Sequence, residues 1–73
     1  MQSLPIFVRL QNRAVILLGE GEAADAKRRI LERAGADVVD EDSEAILAIV
    51  ALDDDDAAKA AVARLRARNI LVN

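Results

Sequence analysis

The sequence predicts an α/β fold in which a mainly parallel four-stranded sheet carries one helix on each face. Two continuous apolar runs, Ala14–Leu18 (AVILL) and Ile46–Leu52 (ILAIVAL), have the length and composition of strands buried on both sides. Each run is followed by a few polar or small residues and then by an amphipathic helical pattern. Each helical pattern stops at a residue that tolerates the left-handed conformation, Gly35 in one case and Asn69 in the other. Short strands then follow, Asp37–Asp40 and Ile70–Val72, and complete two strand–helix–strand units.

Taken in order, Leu4-Pro5-Ile6-Phe7-Val8-Arg9-Leu10 reads as an extended segment or edge strand that covers the core, since proline is accepted at a strand's first position or on an edge. Gln11-Asn12-Arg13 is the turn into the central strand, with Asn12 suited to positive φ. The first helix is expected over Glu22–Ala34, packing a stripe of Ala23, Ala26, Ile30 and Ala34 that Leu31 widens. The connection from Asp40 to Ala45 is a difficulty, because a parallel crossover normally contains a dozen or more residues. Either a bare link replaces the usual helix or the third strand runs antiparallel to the second. Six extended residues reach about 20 Å, barely enough to return to the start of the sheet and cross one strand, and a bare link is expected. The second helix is expected over Asp56–Arg68, packing Ala57, Ala58, Ala61, Val62 and Leu65. The resulting strand order is second, first, third, fourth.

Between the first strand and the first helix stands Gly19-Glu20-Gly21-Glu22-Ala23-Ala24, a GxGxxA turn. Gly19 allows a tight reversal, and Gly21, without a Cβ, allows an anion to approach the free amides and positive dipole end of a helix. Ala24 permits close packing of helix on strand. Strand, turn and helix together form the first half of a βαβ dinucleotide-binding unit, a half-Rossmann arrangement. A tight turn that binds nothing has the same sequence. Glu20 and Glu22 bring two carboxylates into the turn; pointing outward they are harmless, pointing inward they repel a phosphate. Asp40 lies 19 positions beyond Gly21, near the spacing at which an acidic residue meets a ribose hydroxyl. The alternative is a solvated turn within the acidic patch Asp40-Glu41-Asp42-Glu44. Asp53-Asp54-Asp55-Asp56 is read first as a helix cap and its solvated neighbours, with a cofactor-lining loop or a metal cluster as lesser alternatives.

Composition removes several classes of function. With 73 residues there is one small domain with a thin margin between buried area and chain entropy. Net charge is −3 and Phe7 is the only aromatic residue, which disfavours nucleic acid as a partner. The absence of cysteine and histidine excludes disulfides, zinc fingers and Ser-His-Asp or Cys-His catalysis within these residues, and accords with a cytoplasmic location. No apolar run approaches the roughly 18–20 residues of a membrane span, and Met1-Gln2-Ser3 has no basic signal-peptide start.

The order of these pieces resembles the N-terminal domain of the siroheme synthase family, the precorrin-2 dehydrogenase and sirohydrochlorin ferrochelatase module. The resemblance rests on Leu4-Pro5-Ile6-Phe7, on Val15–Leu18 with Gly19-x-Gly21-Glu22-x-Ala24, and on Lys27 and Ala34-Gly35-Ala36. It continues through Ala51-x-Asp53-Asp54 and Ile70-Leu71-Val72-Asn73. It implies one Rossmann-like NAD-binding domain over 1–73 and NAD as cofactor, with weak or vestigial binding. Gly19, Gly21 and Ala24 would accommodate the pyrophosphate within the turn Gly19–Ala24, which also includes Glu20, Glu22 and Ala23. Asp53 and Asp54 would border the nicotinamide. Glu20 replaces the middle one of three consecutive glycines in the family, and the Asp40–Ala45 segment is far shorter than the family's connection. The family's acid–base aspartate, its dimerisation part and its substrate-binding part all come beyond the position of Asn73. The expectation is therefore a dinucleotide-binding oxidoreductase domain inactive on its own, meeting a tetrapyrrole only in a longer context. The competing expectation is a small α/β scaffold, natural or engineered, that binds no ligand. A homodimer suits either, since exposed sheet edges gain from pairing.

Overall fold

A computed structural model describes residues 10–73. Apart from Leu10, the expected N-terminal strand lies outside the described residues. The remaining elements are β1 (Ala14–Leu18), α1 (Glu22–Arg33), β2 (Asp37–Val39), β3 (Leu47–Val50), α2 (Asp55–Ala67) and β4 (Leu71–Val72). They form one sheet in the order β2-β1-β3-β4 with every pairing parallel, as the strand–helix–strand periodicity requires.

β1 is the centre of the molecule. Val15, Ile16 and Leu17 are all buried, and their alternation sends successive side chains to opposite faces. Val15 and Leu17 meet Leu31 of α1, whereas Ile16 joins Ala48, Ile70 and Leu65 of α2. The two helices therefore cover opposite faces, α1 over β1 and β2, α2 over β3 and β4. Ala24 and Ala61 are buried at the helix–sheet contacts, where a side chain of one carbon lets the backbones approach closely.

The buried face of α1 differs from the expected stripe. Ala24 and Leu31 point inward, and Ile30 is 60% exposed. Ala23 and Ala34 are exposed as well. Ala23/Ile30 and Ala24/Leu31 are equivalent seven-residue spacings about 100° apart on a helix, and only packing against β1 and β2 chooses between them.

Both helices end in the same hydrogen-bonded motif with different residues at its left-handed position. After α1, Gly35 (φ 82°) donates to Glu32 and Ala36 donates to Leu31. After α2, Asn69 (φ 61°) donates to Arg66 and Ile70 donates to Leu65. These are Schellman closures that satisfy the last carbonyls. At the other end of α2, the Asp54 carboxylate accepts from the Ala57 amide at 2.9 Å, so the aspartate run does supply a cap.

The link from β2 to β3 contains no helix, and β3 nevertheless runs parallel to β1. This excludes the antiparallel alternative. α2 holds the link in place. Arg64 donates from Nε and from its terminal nitrogen to the two Glu41 carboxylate oxygens at 2.7 and 2.9 Å. Arg68 donates to the backbone carbonyls of Glu41 and Ser43 at 2.6 and 2.8 Å. Two guanidiniums one helical turn apart thus do the work that packing of a crossover helix normally does.

Candidate functional site

An open parallel sheet binds ligands beyond the carboxyl ends of its strands, where consecutive connections leave in opposite directions. Here that switch point lies between β1 and β3. The loops after β1, β2 and β3 enclose a crevice of about 480 Å³ there, lined by Gly19, Glu20, Glu41, Leu52, Asp53 and Arg64 together with the end of β1.

The two glycines of the turn are needed for different reasons. Gly19 has φ 136°, and a Cβ on it would overlap the Ala51 carbonyl, whose carbon would lie at 2.7 Å. The cause is the close approach of the two loops, where the Ala51 amide donates to the Leu18 carbonyl at 2.6 Å. Gly21 has φ 89° and ψ −166°, a region essentially closed to residues with a Cβ. Apart from its chain neighbours, no atom lies within 4 Å of the place a Gly21 Cβ would take. Gly21 is the N-cap of α1 and provides no side-chain cap, so the first-turn amides have no side-chain acceptor among the described residues. The helix begins where the GxGxxA spacing places it.

Glu20 lines the crevice, and Glu20, Glu22 and Ala23 are all exposed; Ala24 is buried against the sheet. Asp53 lines the crevice, while Asp54 is turned to the α2 amides. Asp40 is exposed and accepts from the Ser43 hydroxyl at 3.0 Å, closing its own turn. The structure therefore brings Gly19, Glu20 and Asp53 together, with Gly21 adjoining them, and leaves Asp40 outside the crevice lining. Glu41, Leu52 and Arg64 are additional lining residues. Nothing local in the sequence pairs Glu41 with Arg64, 23 positions away. The only available signal is the i, i+4 spacing of Arg64 and Arg68, which sets both on one side of α2. Among the described residues, no three carboxylates converge as metal ligands would.

The Arg64 hydrogen bond holds the Glu41 carboxyl below its ordinary value, opposed by partial burial and helped by the charges of Arg64 and Arg68. A carboxylate depressed in the folded state adds stability that is complete above its unfolded value, about 4.3, and is lost as pH falls through the folded value. Wild type should therefore melt above Glu41→Gln at pH 7, and the difference in thermal melts should shrink as pH falls below the unfolded value and vanish only once it is below the lowered folded value. A constant difference across that range would mean that Glu41 acts through packing alone.

Fold and crevice together define a half-Rossmann unit with its glycine turn at the switch point. No family model matches the chain, but curated relatives do. Siroheme synthase 3 of Aeromonas hydrophila is 56% identical over 36 residues, which are 49% of this chain and 8% of that protein. The siroheme synthases of Tolumonas auensis and Methylobacillus flagellatus are 53% and 47% identical over 38 residues, again 8% of each relative and 52% of this chain. The resemblance to siroheme synthases is thus borne out over half of the chain. Among the described residues, no helix is long and apolar enough to cross a membrane.

Proposed function

We propose that the chain is the NAD(P)-binding half of a precorrin-2 dehydrogenase-type domain of siroheme biosynthesis. The observation that carries this is the turn at Gly21, where uncapped helix amides border open space, in a chain half of which matches siroheme synthases. Bound NAD would supply the hydride acceptor. Gly19 and Gly21 would admit the pyrophosphate, the amides of Glu22, Ala23 and Ala24 would donate to it, and Ala24 would keep the helix close to the sheet. Asp53 would border the nicotinamide. Asp40 accepts from Ser43 on one carboxylate oxygen and would meet a ribose hydroxyl with the other.

Affinity is expected to be low. Glu20, Glu41 and Asp53 face the crevice, and its single guanidinium, Arg64, is already paired. The same carboxylates would repel a polycarboxylate tetrapyrrole. The 73 residues by themselves should bind without turnover. Those carboxylates also favour the second reading, a ligand-free scaffold. Titration with NAD followed by backbone amide shifts separates the two. Movement confined to Gly19–Ala24 and Asp53 is expected, and silence up to millimolar NAD would leave only the scaffold.

A further inference from the structure

Each helix covers half of one sheet face, a quarter of the sheet's two-sided surface, so two such quarters need another cover. On the α2 side, the quarter over β1 and β2 is served by the crossover. Ala45 packs against the cluster of Ile16, Ala48, Leu65 and Ile70, and Arg64 and Arg68 tie Glu41 and Ser43 down. On the α1 side, the quarter over β3 and β4 presents Leu47, Ile49 and Leu71. Ile70 and Val72 belong to the opposite cluster, so alternation puts Leu71 on this face, and its register partner is Leu47. Leu71 is 60% exposed.

We propose that this quarter-face is a docking surface and that its occupant is the chain's own uncharged stretch Leu4-Pro5-Ile6-Phe7-Val8. Leu10, the first described residue, already packs into the α1-side cluster with Val15, Leu17 and Leu31, the cluster on which Leu47 and Ile49 also pack. The stretch therefore joins the molecule on the correct face. From β1 to β4 is two strand spacings, about 10 Å, and five extended residues span about 16 Å. A tether of one residue, Arg9, gives the stretch an effective concentration of millimolar order or more, which a second copy does not match in dilute solution.

Phe7 is the only aromatic residue, so its ring is a unique probe. In the full chain with labelled methyl groups, nuclear Overhauser contacts from the Phe7 ring to methyls of Ile49 and Leu71 are expected, with upfield displacement of those methyls. Phe7→Leu should abolish the displacement while the methyls of Ile16 and Leu65 keep their positions. The wild-type contacts do not depend on the variant folding. Absence of ring contacts to Leu47, Ile49 and Leu71 would overturn the proposal. So would contacts seen only between differently labelled chains in a mixed sample, which would make the occupant a second copy.

Discussion

Gly19→Ala should cost roughly 2–6 kcal/mol of stability, the larger loss of the two turn glycines. The new Cβ would have to displace backbone, since its nearest neighbours are the carbonyl oxygen and carbon of Ala51, and the residue would also hold φ near 136°. Overpacking against backbone and a conformation foreign to alanine each cost about 1–3 kcal/mol. Together that is a large share of the roughly 4–11 kcal/mol expected for a domain of this length. Gly21→Ala meets only the conformational cost, because the space beside it is open. It should fold with a loss of roughly 1–3 kcal/mol. Urea denaturation of the two variants checks the contrast. Equal losses would mean that the loops after β1 and β3 do not approach each other as described.

The second large effect is expected on α1. Leu31→Ala removes a side chain only 3% exposed from the cluster with Val15 and Leu17 and should cost about 2–5 kcal/mol. Ile30→Ala, at an adjacent position of equal hydrophobicity, should cost less than about 1 kcal/mol, since Ile30 is mostly in solvent. At roughly 4–8 °C per kcal/mol for a domain of this size, thermal melts resolve the pair easily. The reverse ranking would restore the stripe through Ala23 and Ile30 and rotate the helix by about 100°.

That pair also marks where local pattern stops being informative. The strands, both helices and the glycine turn were legible because each depends on short-range chemistry. Unbroken apolar runs make strands buried on both faces, and Gly35 and Asn69 close helices. The inward face of α1 was not legible, because alanines at 23 and 24 make two stripes equivalent until a sheet is present. The helix-free crossover could be judged only by reach. Its actual support, Arg64 and Arg68 on Glu41 and Ser43, joins residues 23 to 27 positions apart. In the candidate site, Gly19 and Gly21 were read from the GxGxxA spacing, and Asp53 from the resemblance and from its place after the third strand. Glu41 was not, since spacing does not separate it from its neighbour Asp40, and its place in the crevice goes with its pairing to Arg64, 23 positions away.

The central claim is that the amides at the start of α1, exposed by Gly21, form an anion site for a dinucleotide. The direct measurement is a parallel NAD titration of wild type and Gly21→Ala by amide chemical shifts, after the unperturbed resonances of β1 and β3 establish that the variant is folded. Wild type should show saturable movement over Gly19–Ala24, and the variant should show none. Equal movement in both proteins, or stillness in wild type at millimolar NAD, would contradict it.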